Sequence, residues 1–334
     1  MMDVYILQKL KNLQNVKEIA IGKKYGLRLF AQLKTINIYN YTTMKYKLLF
    51  TLAIQRIIYN ILIHTAGIEH YSAPLGLLMI DSIHFCISLI MVTLTGWENS
   101  PGNWKIMLLP AILAFLHNNF QFYGMLYLDP YMHQIVYQIN IIFASLITPI
   151  KLSTKQRISI FVLFVGICIV LYHRDDALIL PQHNHMIGIM LTIIAAASSA
   201  SSNQAFEDII KKEYSTTWAR QMQMSGLGVI GSIISCIQEY NFIIESEPIS
   251  TLTFILVIIN CSGNIIIPFV LKYSSNVVKG FSDTLAVLMS FIISQILYHW
   301  QPHPEFYIGI VLIIIAAIMF QSEKKIIKSE VLTV

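Results

Sequence analysis

Two lysines, Lys272 and Lys279, stand in the stretch Leu271–Ser290, LKYSSNVVKGFSDTLAVLMS, at the mouth of an apolar run. A lysine in or beside hydrocarbon costs about 2.5 kcal/mol or more and is kept where its charge is needed. Their type and place point to recognition of an anion. Lys279 and Gly280 open the run, and a helix N-terminus offers unpaired N–H groups and the positive end of its dipole to phosphate or carboxylate. A phosphate there would meet an ammonium and free amides at once, with Gly280 letting the backbone approach closely. The plainer alternative is that both lysines are rim residues drawn to anionic lipid on the cytoplasmic surface.

A second set of polar residues lies inside otherwise apolar runs: Gln55, Arg56, Asp81, His84, Asn118, Asn119, Gln138, Asn140, Asn203, Asn260, Asn264 and Asp283. Any one Asn or Gln is explained by a hydrogen bond between helices, but the whole set is better explained by a polar path or cavity. Asp283 follows Lys279 by one helical turn, so the two can form a neutralising ion pair. An anionic ligand would then have to displace that carboxylate. Asp81 and His84 fit either a proton relay or a buried hydrogen bond, and the hydrogen bond is the simpler reading.

These residues need elements that hold them at membrane depth. Charged residues make up 12% of the 334-residue chain and mean hydropathy is +0.62, whereas a soluble domain has about 25% charged residues. The chain is therefore expected to be a polytopic membrane protein. Runs long enough to cross about 30 Å of hydrocarbon fall at 48–66, 74–96, 105–127, 130–149, 158–173, 186–206, 221–240, 251–271, 280–298 and 305–321. The predicted fold class is an all-α membrane protein of ten transmembrane helices. With a cytosolic N-terminus, all but two of the 23 Lys and Arg residues, Arg56 and Arg174, fall on the cytosolic side. That bias is the positive-inside rule at work, and it predicts that both termini are cytosolic.

Ten spans divide into two five-helix repeats, and an odd number of spans per repeat requires the second to be inverted. The expected organisation is a basic cytosolic segment at 1–47, a first bundle at 48–173, a second at 174–321 and a cytosolic tail at 322–334. The string YLDPYMHQIVYQ, Tyr127–Gln138, corresponds in the second half to YSSNVVKGFSDT, Tyr273–Thr284, and this register sets His133 opposite Lys279. Residues 1–47 mix apolar and basic side chains, which suits either a helix lying on anionic lipid or a disordered tail.

Four separated patches carry a family likeness. Around span nine, Tyr273, Asn276, Lys279, Gly280 and Phe281 make the pattern Tyr-x-x-Asn-x-x-Lys-Gly-Phe. In span three, Pro110 and His117-Asn118-Asn119 are followed by Leu128-Asp129; in span four come Gln134 and Tyr137-Gln138. After span six, Phe206-Glu207-Asp208-Ile209-Ile210-Lys211 precedes Trp218, Arg220 and Gln223. In this order and on these spans, the patches resemble those of the nucleotide-sugar transporters related to the CMP-sialic acid and UDP-galactose carriers. The resemblance implies the ten-helix drug/metabolite transporter architecture. It implies exchange of a cytosolic nucleotide-sugar for a lumenal nucleoside monophosphate, without ATP or metal, in Golgi or endoplasmic reticulum membrane. The Golgi is the first choice.

The candidate substrate site on these grounds comprises Lys272, Tyr273, Asn276, Lys279, Gly280 and Ser282 near span nine, with Asn118, Asn119, Tyr137, Gln138 and Asn140 from spans three and four. Three positions depart from the family pattern. Asn140 stands where its Tyr-Gln-Leu-Lys string has lysine, Asp81-Ser82-Ile83-His84 replaces its Glu-Leu-x-Lys, and Asp283 follows Ser282 where relatives have small residues. A lost ammonium and an added carboxylate keep open a carrier of some other, less anionic metabolite. A non-transporting membrane scaffold of the same fold is the alternative from a different class.

No nucleophile elbow, metal-ligand cluster or glycine-rich phosphate loop is present in the sequence, so the chain is not expected to be an enzyme. No cofactor or metal is expected. Expected partners are the nucleotide-sugar, the nucleoside monophosphate and the bilayer, not nucleic acid; a homo-oligomer is allowed. The four cysteines, Cys86, Cys168, Cys236 and Cys261, are isolated in apolar runs and read as small packing residues.

Overall fold

The computed structural model describes residues 43–62, 73–96, 103–128, 130–148, 152–172, 185–212, 216–239, 250–298 and 303–322. Every regular element among them is helical. In chain order they are α1 (43–62), α2 (Ala73–Thr95), α3 (Leu108–Tyr127), α4 (Pro130–Tyr137), α5 (Asn140–Ile147) and α6 (Thr154–Tyr172). The second half holds α7 (His185–Lys212), α8 (Thr217–Gln238), α9 (Thr251–Tyr273), α10 (Asn276–Tyr298) and α11 (Pro304–Ser322). A short 3-10 turn, Trp104–Met107, leads into α3. Four helices among the described residues are long and apolar enough to cross a membrane: Pro74–Thr95, His185–Lys212, Thr251–Tyr273 and Asn276–Ile293. The expectations for residues 1–42, for the dividing loop after 172 and for the tail after 322 lie outside the described residues.

Local sequence explains the helix boundaries. Thr216 caps α8 by accepting from the Ala219 N–H, and Ser250 caps α9 by accepting from Thr253; each satisfies a donor that the first turn leaves unpaired. The fourth apolar run is not one continuous helix. At Gln138–Ile139 the backbone tightens to i→i−3 bonds, Gln138 N–H to the Ile135 carbonyl and Ile139 N–H to Val136, both at 3.1 Å. That 3-10 step separates α4 from α5, with Gln138 in the break and Asn140 just after it.

Small residues set the packing. The Ala195–Ser202 stretch, AAASSASS, lets α7 lie close along α3, where Ser202 donates to the Pro110 carbonyl at 2.7 Å. Close approach of this kind is how helices associate where lipid is as apolar as their own side chains. The same logic joins α6 to α11, because a Cβ on Gly166 would stand 3.0 Å from the Gly309 carbonyl oxygen. Helix α2 lies along α8 in the third extensive pairing. Helix α1 meets α9 through Leu49, Leu52 and Val270. A stacked pair, Phe281 on Phe320 with centroids 4.3 Å apart, ties α10 to α11 within the largest apolar cluster. Phe50, Leu94, Leu146 and Ile296 point outward, the surface that lipid wants and water does not.

Candidate functional site

Polar side chains from both halves converge on a central cavity of about 300 Å³, at the small end of the range that holds organic ligands. Helix α10 supplies Lys279 and Asp283, α1 supplies Arg56, and α2 supplies Asp81 and His84. Helices α3 and α4 add Asn118, Asn119, His133, Tyr137 and Gln138. The break between α4 and α5 matters here: it lets Gln138 turn its amide oxygen to the Thr284 hydroxyl of α10 at 2.7 Å.

The charged centre is a three-residue chain. Lys279 Nζ lies 3.1 Å from Asp283 Oδ2, and Arg56 Nε lies 3.8 Å from Asp283 Oδ1. The i, i+4 pair within α10 is the one the sequence spacing allowed. The guanidinium reaches it from another helix, a relationship no local spacing could show. Lys279 is 5% exposed, so its charge faces the cavity and its carboxylate partner rather than bulk water. Asp81 and His84 do not bond to each other. Each crosses to α8 instead: Asp81 accepts from the Ser232 hydroxyl at 2.6 Å, and His84 shares a hydrogen bond with Gln221 at 3.0 Å.

The same cavity has an aromatic wall. Tyr137 donates to Ser199 Oγ at 2.7 Å and stacks with His133, centroids 6.1 Å apart. His133 is 1% exposed, and neither ring nitrogen has a hydrogen-bond partner among the described residues. Two buried nitrogens without partners on a cavity wall are placed to meet a ligand's polar groups.

Of the residues singled out from sequence, Lys279, Asn118, Asn119, Tyr137 and Gln138 line the cavity. Lys272, Tyr273, Asn276, Gly280, Ser282 and Asn140 are not among its lining. The N-terminus of α10, expected to be open to a phosphate, is filled by the protein itself. Glu207 Oε2 accepts the Asn276 N–H at 2.7 Å, while the Asn276 side chain donates to the Ala200 carbonyl at 3.0 Å. Gly280 serves a close helix contact, since a Cβ there would stand 2.7 Å from Ile141 Cγ1. Ser282 reaches the Leu49 carbonyl at 3.4 Å, and Asn140 donates to Ala196 at 3.2 Å. Lys272 and Tyr273 end α9. Lys211, exposed at the end of α7, is tied to Glu207 and to the Ser274 carbonyl, each at 2.5 Å.

Comparison with known proteins assigns this arrangement. A family profile described as nucleotide-sugar transporter matches residues 40–321. The chain belongs to the nucleotide-sugar transporter family. It is 29% identical over 244 residues to the human UDP-N-acetylglucosamine transporter, covering 68% of this chain and 74% of that one. The Schizosaccharomyces pombe UDP-galactose transporter is 24% identical over 229 residues, 65% of each chain. Both are named as transporters and not as enzymes. A solved protein structure superposes with a TM-score of 0.60 at 13% identity over 80% of this chain and 94% of the other, a likeness of fold alone.

Among the cavity residues that the sequence did not place in the substrate site are Arg56 and His133. Arg56 carried a signal, because an arginine in mid-span is expensive unless it faces a cavity. His133 carried only its register opposite Lys279. Glu207 stood only in a family string, and its bond to the Asn276 N–H shows only once the partner helix is in place.

Proposed function

We propose that the chain carries a nucleotide-sugar from the cytosol into the Golgi lumen in exchange for a nucleoside monophosphate. The observation that carries this reading is the central cavity in which Lys279 and Arg56 present cationic groups inside an apolar exterior. A phosphate diester is the ligand chemistry such groups recognise. The names of the relatives favour a UDP-sugar.

The architecture we propose is ten spans in two inverted five-helix repeats, with α4 and α5 together as the fourth span. The packing supports it. In repeat numbering the second span pairs with the seventh and the fifth with the tenth, and each pair maps onto itself when the halves are exchanged. The third packs on the sixth, and its image, the eighth on the first, is present through Leu49, Leu52 and Val270. A binding cavity where two such halves meet is the usual arrangement for carriers with inverted repeats. Cytosolic termini are proposed from the distribution of Lys and Arg.

Proteoliposomes holding the purified chain test the proposal. Uptake of labelled UDP-N-acetylglucosamine or UDP-galactose should rise when the lumen is preloaded with UMP and stay low when it is empty. Uptake that ignores preloading excludes exchange, and no uptake of any nucleotide-sugar excludes the activity. The Lys279–Asp283 pair favours one second reading, a carrier of a less anionic metabolite, which predicts competition by uncharged solutes in the same assay.

A further inference from the structure

We infer that Arg56 and Lys279 form a two-cation subsite for the phosphate groups of the substrate, and that Asp283 is its built-in counter-ion, displaced when the anion binds. The inference rests on the nucleotide-sugar reading for the identity of the anion but not for its existence.

Three observations carry it. First, Arg56 is poorly satisfied by the protein. A guanidinium has five N–H donors, yet among the described residues its polar partner is Asp283, at 3.8 Å from Nε, beyond hydrogen-bond length. Second, Asp283 is loosely held on that side. Oδ1 is buried without a hydrogen-bond partner among the described residues, while Oδ2 is paired with Lys279 at 3.1 Å. Third, Arg56, Lys279 and Asp283 all line the same cavity, with side chains of Arg56 and Asp283 25% and 21% exposed. A helix-locked structural ion pair would be closed over and fully bonded. This one leaves donors free and faces the space where a ligand enters.

The chemistry follows from the shapes. A phosphate between the two cations can take a forked pair of bonds from Arg56 and a point charge from Lys279. Asp283 cannot satisfy both groups at hydrogen-bond distance; a larger tetrahedral anion can. In the empty carrier the carboxylate lowers the charge of a site that would otherwise hold two uncompensated cations, one of them buried, which is costly within a membrane span. Asp81, the other carboxylate on the lining, is engaged by Ser232 and is not part of the switch. The subsite therefore trades affinity for release: the anion must displace Asp283 to bind, and the returning carboxylate helps expel it.

Isothermal titration of the full-length chain in detergent tests this with three probes: UMP, uridine and inorganic pyrophosphate. Asp283→Asn should tighten UMP and pyrophosphate by about tenfold or more and leave uridine unchanged. Arg56→Gln placed in the Asp283→Asn background should forfeit about tenfold again, because the guanidinium touches the anion rather than merely neutralising Asp283. Unaltered or weaker pyrophosphate and UMP binding in Asp283→Asn would overturn the inference. So would an Arg56→Gln change that costs nothing once Asp283 is neutral. If pyrophosphate follows the expected order while neither UMP nor uridine binds, the subsite stands and the nucleotide-sugar reading fails. Should Asp283→Asn not yield folded protein by size exclusion, Arg56→Gln and Arg56→Lys in the wild-type background decide: pyrophosphate binding lost with Gln and largely kept with Lys supports the subsite, and equal binding in both overturns it.

Discussion

The carboxylate of Glu207, near the end of α7, accepts a hydrogen bond from the backbone N–H of Asn276, the first residue of α10, at 2.7 Å. The same side chain pairs with Lys211, which also bonds the Ser274 carbonyl. One buried glutamate thus caps another helix and fixes the α9–α10 turn against α7. Removing it would strand the buried Asn276 N–H and take the ion-pair partner from Lys211, which is exposed. Glu207→Ala should cost about 1.5–3 kcal/mol, the range for charge-assisted bonds, and Glu207→Gln less. Thermal unfolding in detergent measures this, and an unchanged melting temperature in Glu207→Ala would refute the cap.

Lys279 is the more buried of the two cations that line the cavity. Lys279→Ala should weaken nucleoside monophosphate binding by about tenfold or more, and Lys279→Arg should retain most of it. Titration of the purified variants separates the two. Equal affinity in wild type and Lys279→Ala would remove the lysine from the site.

Gly280 is explained by packing and not by ligand approach. Alanine there puts a Cβ 2.7 Å from Ile141 Cγ1, an overpacking that costs about 1–3 kcal/mol. Gly280→Ala should lower the melting temperature, and Ile141→Ala in the same chain should return part of the loss. Absence of coupling between the two changes would argue for a different role.

His84 and Gln221 are both buried, and the Gln221 amide nitrogen already lacks a partner among the described residues. His84→Leu leaves the amide oxygen bare as well and should cost about 1–3 kcal/mol. The double change His84→Leu with Gln221→Met removes both polar groups and should be much milder. A double variant as unstable as the single would show that the bond is not what matters.

The basic residues predict that Asn241–Ser250 and His299–Pro304 face the lumen with both termini cytosolic. Single cysteines placed in these loops of sealed vesicles should resist an impermeant thiol reagent until the membrane is opened. Labelling from the cytosolic side would reverse the topology.

Sequence alone determined the class of the protein, the ten apolar intervals and the Lys279–Asp283 pair. Each follows from one-dimensional information: hydropathy counts residues against bilayer thickness, and i, i+4 spacing puts two side chains on one helix face. The family strings likewise survive as strings. Tertiary structure alone decided which polar residues share a cavity. Asn118 and Asn140 look alike in the sequence, but Asn118 lines the cavity while Asn140 is engaged with Ala196. The 3-10 step at Gln138–Ile139 interrupts the fourth run at a point that no periodicity records. Arg56 and Asp283 are brought within 3.8 Å by helix packing between the two halves, and distance across a bundle is set by the small residues and side-chain volumes that let helices approach, not by separation along the chain.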